Sequence, residues 1–231
     1  MTSPTHLTWE ERLLLKEITH RINNEFASVI QVVSSKAAKS SDNNVKAALS
    51  GVIEQLHNYA RVHHALQMPA NNDRIDASKY LRDLCQSISR SKLEDLNIEL
   101  LLIEHPFQMS SERCWVMGMI VNELVTNALR HAFGHQSGGR IQIECRTFGS
   151  FVECRVSDDG SASSEEFRPG SGLKIIEALA GALGAGFRFN FAENGTEAIL
   201  VFPIEQDCCG DHGRNDASEL MYESGSGRLL G

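Results

Sequence analysis

Long apolar runs are missing from this sequence of 231 residues. No stretch of 18 or more consecutive apolar residues occurs, so we expect no transmembrane helix. The first residues, Met-Thr-Ser-Pro-Thr-His, have neither the basic segment nor the apolar core of a secretory signal. Internal repeats are also absent. The composition, 42% hydrophobic and 23% charged, is typical of a globular protein, and we expect a cytoplasmic one without a membrane partner.

The sequence also has no excess of basic over acidic residues. Lys and Arg total 22 against 30 Asp and Glu, and the net charge of −8 argues against a nucleic-acid partner. The cysteines lack the spacing of metal ligands. Four of them lie singly in apolar segments, which predicts reduced core residues: Cys85, Cys114, Cys145 and Cys154. The cluster of Cys208, Cys209 and His212 has poor geometry for a tetrahedral metal site, so we expect no metal there.

Apolar residues at steps of three and four predict two long helices, over about residues 9–38 and 44–67. The polar turn between them is short, so the two helices should form an antiparallel hairpin. A hairpin alone leaves both apolar stripes uncovered. We therefore expect a homodimer through residues 10–67, in which a second copy completes a four-helix bundle.

The character of the sequence changes at residues 67–73, where a proline and adjacent asparagines stop the second helix. Beyond this break the pattern is α+β, with helices expected on one face of a mixed sheet. The predicted helices cover about residues 77–92 (capped by Asp76), 111–133 and 172–183, and the predicted strands cover 98–103, 141–146, 151–156, 187–191 and 198–202. We therefore expect a helical hairpin over 1–70, a second domain over 71–206 and a disordered tail over 207–231.

A histidine on the first helix has the neighbours of a nucleophile. Glu17 lies one turn before His20 and Asn24 lies one turn after it, which places a carboxylate and an amide on the same helix face. A carboxylate that accepts one ring N–H leaves the other ring nitrogen as a nucleophile. A plain surface histidine on a solvated face has the same spacing, so the spacing alone leaves both interpretations open.

Two patterns in the second domain indicate a site for a nucleotide. Glu123 and Asn127 are one helical turn apart, and carboxylate and amide oxygens suit Mg²⁺ or its waters. Asp158 ends a predicted strand two residues before Gly160. A carboxylate in this position can accept the exocyclic amine of adenine, and the glycine allows the backbone to turn tightly beside the base.

Residues 20–24, His-Arg-Ile-Asn-Asn, resemble the H-box of bacterial sensor histidine kinases in the subfamily related to the HWE kinases. The resemblance implies a dimerisation and phosphotransfer hairpin with His20 as the phosphoacceptor. It implies that Asn24 orients water for dephosphorylation. Arg21 stands where larger kinase groups have an acidic residue that serves as base, so Glu17 is our candidate for that role.

Residues 121–133 resemble, nearly residue by residue, the N-box of kinases with a Bergerat-type ATP-binding domain. Residues 158–160 resemble the start of the family's G1 box, residues 170–173 its G2 box, and Gly195-Thr196 the start of its last strand. The resemblance implies ATP and Mg²⁺, with Asn127 as the metal ligand and Glu123 polarising or deprotonating the attacking group. The implied nucleotide contacts are Asn122, Asn127, Arg130, His131, Asp158, Gly160, Gly170, Gly172, Leu173 and Thr196.

The resemblance has two departures. Ala162 stands where the G1 box has its second glycine, and only about ten residues separate Gly160 from Gly170, so the ATP lid must be short, with Arg168 as its one cation. The leading hypothesis is a protein-histidine kinase core that autophosphorylates from ATP and passes the phosphate to an Asp of a response-regulator receiver domain. The alternative is a histidine phosphotransferase with a degenerate kinase-like domain that does not use ATP.

Overall fold

The computed structural model of the protein describes residues 9–67, 74–133, 138–161, 171–192 and 195–204. The predictions for Ala162, Arg168, Gly170, the cluster of Cys208, Cys209 and His212, and the tail 207–231 lie outside these residues. Within the described ranges, no helix combines the length and the apolarity that a bilayer crossing requires.

The first two helices form the predicted hairpin. Helix α1 runs from Trp9 to Lys39 and helix α2 from Asn43 to Ala65. Asp42 caps α2, because its side chain accepts a hydrogen bond from the backbone N–H of Asn44 at 2.8 Å. Large apolar side chains remain exposed along both helices: Leu13, Leu14, Ile18, Val29, Val32, Val45, Val52 and Tyr59. The uncovered stripe agrees with the expected four-helix bundle, and the dimer stays a prediction.

The rest of the chain is built on a five-stranded mixed sheet in the order β2-β4-β5-β7-β6. Only the β2–β4 pair is parallel within this sheet, and the other neighbours are antiparallel. The strands are β2 (Ile98–Glu104), β4 (Gly139–Phe148), β5 (Phe151–Asp158), β6 (Gly186–Ala192) and β7 (Gly195–Pro203), and the helices are α3 (Ala77–Ile88), α4 (Ser111–His131) and α5 (Ser171–Leu183). The α+β class predicted from the sequence is confirmed.

One apolar core joins the three helices to one face of the sheet. Leu81 of α3, Met117 of α4 and Ile176 of α5 are fully buried, and so are Ile143 of β4 and Phe202 of β7. Alternation along the strands sends every second side chain into this core. The layer of helices therefore lies on one face of the sheet.

Two features were absent from the sequence prediction. Strands β1 (Arg74–Asp76) and β3 (Gln108–Ser110) pair as a small antiparallel sheet, and three residues are too few to show a period of two. The helix capped by Asp76 ends at Ile88 instead of continuing to about residue 92, because the chain passes into a π-helical turn over Ser89–Leu93. A short 3₁₀ turn, Glu94–Leu96, then leads to β2.

The C-terminal end of α2 joins the hairpin to the sheet domain. Val62 and Leu66 are buried in the same apolar cluster as Leu81 and Leu84 of α3. The indole Nε1 of Trp115, on α4, donates a hydrogen bond to the Leu66 carbonyl at 2.7 Å. The helix that carries the second half of the hairpin is thereby held against α3 and α4.

Trp115→Phe is expected to weaken this junction. The ring keeps most of its packing area, but the Leu66 carbonyl loses its donor, and such a loss costs about 1 kcal/mol. Denaturant unfolding should therefore give a free energy of unfolding lower by that amount. Tyr59→Phe, on an exposed part of α2, is the matched control and should change nothing measurable. Equal stabilities of the two variants would contradict a structural role for the indole hydrogen bond.

Four cysteines of the described residues are buried and reduced, as the sequence predicts: Cys85, Cys114, Cys145 and Cys154. Burial raises the pKa of the Cys85 thiol to about 12, which disfavours the reactive thiolate. These residues therefore serve as small apolar side chains in the core.

Candidate active site

His20 lies on an exposed part of α1 and is contacted by Asn24. Its ring Nδ1 is 3.2 Å from the Asn24 amide nitrogen. An amide N–H that donates to Nδ1 leaves the ring proton on Nε2 in the neutral imidazole. A half-turn of the carboxamide would present its oxygen to an Nδ1–H instead, and Nε2 would then carry a free lone pair. The orientation of the Asn24 carboxamide therefore decides which ring nitrogen of His20 carries the proton.

Glu17 is engaged by a different partner from the one that the sequence suggested. Its carboxylate accepts a hydrogen bond from Arg21 Nε at 2.8 Å, whereas the spacing had placed it beside the His20 ring as an acceptor of a ring N–H. The Arg21 hydrogen bond lowers the pKa of the Glu17 carboxyl. The ion pair forms because Glu17 and Arg21 are four residues apart on an exposed helix face, which suits an acid and a base. The role of Glu17 as a base stays a prediction.

The acid and the amide of the N-box lie directly against the start of α5. A Cβ added at Gly172 would be 2.3 Å from Glu123 Oε1 and 3.2 Å from Asn127 Oδ1. A side chain at this position would displace the Glu123 carboxylate, so glycine allows α5 to approach the acid and the amide together. Leu173, the next residue, is buried and anchors the first turn of α5. A carboxylate and an amide, whose oxygens could bind a cation, therefore lie at the amino-terminal end of a helix.

Asp158 is buried at the end of β5 and is held by the start of β7. Its Oδ1 accepts from the backbone N–H of Gly160 at 3.0 Å and of Thr196 at 3.3 Å. Its other oxygen accepts from the Thr196 hydroxyl. Gly195 allows the approach, because its φ is +119° and a Cβ there would collide with the Asp158 carbonyl. The carboxylate is thus fixed with little rotational freedom.

Gly160 lies between the Asp158 carboxylate and the C-terminal end of α4. A Cβ at Gly160 would be 2.5 Å from the Ala132 Cβ, just beyond the C-terminal end of α4. The backbone N–H of Ser161 also donates to the Ala132 carbonyl at 3.0 Å. The end of β5 and the start of β7 therefore meet the C-terminal end of α4, and earlier turns of the same helix contact the start of α5. Arg130 and His131 are exposed on the last turn of α4.

Lys92 is a residue of this region that the sequence analysis missed. It lies in the π-helical turn after α3, and its Nζ donates to Asn122 Oδ1 at 3.0 Å and to Thr126 Oγ1 at 2.8 Å. Burial lowers the pKa of Lys92, and the nearby Glu123 carboxylate opposes that shift. Its partners follow it by 30 and 34 residues, so no local pattern could have identified it.

The second half of the hairpin contributes a histidine to the same neighbourhood. The His63 ring packs on Phe26 of α1, with 5.3 Å between ring centroids. Burial and then the Lys92 charge lower the pKa of His63. His64, one residue on, hydrogen-bonds through Nδ1 to Gln67 Oε1 at 3.0 Å. These histidines belong to the packing and surface of the hairpin, and among the described residues no three His, Cys, Asp or Glu side chains cluster as a metal site.

Two family models match the chain. One, described as histidine kinase, matches residues 17–92, which include most of α1 with His20, and all of α2 and α3. The other, described as histidine kinase-like ATPase domain, matches residues 99–200, which include Glu123, Asn127 and Asp158. The two matched segments follow each other in the order of the H-box and the nucleotide motifs.

Curated relatives are sensor histidine kinases. The sensor histidine kinase PdtaS of Mycobacterium tuberculosis is 24% identical over 198 residues, which are 82% of this chain and 39% of the relative. Blue-light-activated histidine kinase 2 of Erythrobacter litoralis is 24% identical over 224 residues, which are 88% of this chain and 60% of the relative. The chain therefore spans between about two fifths and three fifths of the length of these relatives.

A solved structure supports the same fold. The histidine kinase domain of a blue-light-activated kinase from Erythrobacter litoralis aligns with a TM-score of 0.56 and 18% identity, over 77% of this chain and 96% of that domain. This structural likeness shows the fold alone. The assignment to a family depends on the two family models and the motifs. By these matches the chain belongs to the histidine kinases, in the subfamily related to the HWE kinases.

Proposed function

We propose that this chain is an ATP-dependent protein-histidine kinase core, which autophosphorylates His20 and passes the phosphate to an Asp of a response-regulator receiver domain. The observation that carries the proposal is the meeting of Glu123 and Asn127 with Gly172. The fixed carboxylate of Asp158 lies with Gly160, which packs against the C-terminal end of the same helix, α4. Phosphoryl transfer requires mainly positioning and charge neutralisation, and this arrangement can supply both.

The residues present fit ATP and Mg²⁺. Asn127 would hold the cation through its amide oxygen, with Glu123 beside it, and Mg²⁺ accepts few protein ligands and keeps several waters. The start of α5 offers backbone N–H groups and the positive end of its dipole to the phosphates. Asp158 and Thr196 would read the adenine amine. When bound, the cation neutralises charge that develops on the phosphates.

The transfer step uses His20 as nucleophile. A bond forms between Nε2 and the γ-phosphorus while the bond from that phosphorus to the oxygen of the departing ADP breaks. With its carboxamide turned so that the oxygen accepts from Nδ1–H, Asn24 would hold the ring in the tautomer that frees Nε2. Glu123 polarises the attacking ring. The Nδ1 proton leaves afterwards, and Glu17, one turn away, is the proposed acceptor once it releases Arg21.

Labelled ATP tests the proposal. Incubation of the protein with γ-labelled ATP and Mg²⁺ should give an acid-labile, alkali-stable protein label, and α-labelled ATP should give none. A receiver domain added next should take up the label. If γ-labelled ATP leaves the protein unlabelled while a phosphorylated receiver domain phosphorylates it, the protein is a phosphotransferase. The features that favoured that alternative, Ala162 and the short lid, lie outside the described residues.

Asp158→Asn should weaken ATP binding without changing the stability of the fold. The amide oxygen can still accept from the N–H groups of Gly160 and Thr196, and the amide N–H can donate to the Thr196 hydroxyl oxygen, so the fold should survive. An adenine amine then meets a neutral side chain whose outer group is a donor. We expect ATP affinity to fall about tenfold or more, as for a lost charged hydrogen bond, with an unchanged thermal unfolding midpoint. Wild-type affinity in a fluorescent-nucleotide titration would contradict the role of Asp158.

A further inference from the structure

The half-buried ammonium of Lys92 has only neutral hydrogen-bond partners in the part of the chain that the structure describes. They are Asn122 Oδ1 and Thr126 Oγ1. The Thr126 hydroxyl gives its own proton to the Asn122 backbone carbonyl at 2.7 Å, so its oxygen is left to accept from Lys92. These two bonds use two of the three N–H donors of an ammonium group. One donor and the charge remain for a further ligand.

Partial burial makes this charge a suitable partner for an anion. A buried cation that is bonded to neutral groups pays a desolvation cost that they offset only in part. The direction of the Lys92 pKa reflects this cost, and Glu123 acts on it without forming an ion pair within the described contacts. An anion bound next to Lys92 would offset the rest of this desolvation cost.

The position of Lys92 points to the phosphates. The two partners of Lys92 are neighbours of the acid and the amide in the sequence: Asn122 precedes Glu123, and Thr126 precedes Asn127. The ammonium therefore lies beside the same two turns of α4. Gly172, at the start of α5, lies against Glu123 and Asn127, on the helix face adjacent to that of Asn122 and Thr126. By sequence, residues 161–170 contain a single basic residue, so this segment offers little positive charge for the end of a triphosphate.

We propose that Lys92 binds the terminal phosphate of the nucleoside triphosphate. This inference rests on the proposed nucleotide site and adds a residue from outside the family's motifs. The ammonium is held in place by Asn122 and Thr126 and donates its third N–H to the phosphate. The positive charge of Lys92 then neutralises part of the negative charge of the phosphate. A ligand that ends at the β-phosphate does not reach it.

The test compares two nucleotides on the full chain. Dissociation constants for ATP and ADP, both with Mg²⁺, are measured for wild type, Lys92→Met and Lys92→Arg. Lys92→Met should weaken ATP about tenfold or more and ADP by no more than about twofold, because a charged hydrogen bond is lost from one ligand only. Lys92→Arg keeps the charge and should retain most of the preference for ATP. Lys79→Met, on the exposed side of α3, is the matched control and should bind both nucleotides like wild type.

The affinities of the variants for ATP and ADP decide whether Lys92 binds the terminal phosphate. Equal weakening of ATP and ADP would reassign Lys92 to holding α4 in place, and no weakening would exclude a phosphate contact. Wild-type protein that binds neither nucleotide would also overturn the inference. Selective loss of ATP affinity, without any label on the wild-type histidine, would contradict the proposed function and leave the inference standing. Lys92→Gln gives the same comparison if the methionine variant does not fold.

Discussion

Gly172→Ala is expected to lower kcat/KM for ATP by roughly 10²-fold or more, the loss that follows a displacement of about 1 Å at a reacting site. The added methyl would be 2.3 Å from Glu123 Oε1 and 3.2 Å from Asn127 Oδ1, so the carboxylate or the start of α5 has to shift. Alanine is the better helix former, and the loss therefore arises from the site and not from helix propensity. Autophosphorylation rates at several ATP concentrations measure it.

Gly181→Ala is the matched control on the same helix. Nothing lies within 4 Å of the position of its added Cβ. The control should keep wild-type kinetics and gain roughly 0.5–1 kcal/mol in the free energy of unfolding, because alanine replaces glycine in an exposed helical turn. Wild-type kinetics in Gly172→Ala would contradict the account, since the phosphates would then be bound elsewhere than between α4 and α5.

His20→Ala should remove all of the label that the protein takes from γ-labelled ATP. The substitution deletes the nucleophile, and its hydrogen bond to Asn24 lies within one exposed stretch of α1, so neither the fold nor the nucleotide site depends on it. The variant should therefore bind ATP with wild-type affinity. Acid-labile label after gel separation and a nucleotide titration measure the two quantities on the same preparation.

His57→Ala is the control for this variant. His57 is exposed on α2, in the same hairpin, and should leave the label unchanged. Label that persists in His20→Ala would place the phosphoacceptor on another residue. Loss of both label and ATP affinity would instead indicate a defect of the fold.

Local patterns predicted the elements well, because periodicity and caps act over a few residues. The hairpin, the cap at Asp76 and the five long strands follow from such signals. The small sheet of β1 and β3 is too short for a period to show. The π-helical turn that ends α3 at Ile88 leaves no pattern that distinguishes it from continued helix.

The candidate site could be predicted in part. Glu123 and Asn127 are neighbours on one helix, so their spacing was informative, whereas the bond between Asp158 and Thr196 joins residues 38 positions apart and depends on strand order. The pairing of Glu17 with Arg21 shows a different limit. The sequence offered Glu17 two partners on its helix face, a histidine at three residues and an arginine at four, and the permanently charged one is bound.

The most direct test of the central claim is the site of phosphorylation. Wild-type protein is incubated with ATP and Mg²⁺, digested without acid, and mapped by mass spectrometry under conditions that preserve phosphohistidine. The account predicts phosphate on His20 and on no other of the nine histidines. A protein without phosphohistidine, or one that carries it on a histidine of α2 such as His57, His63 or His64, would contradict the account.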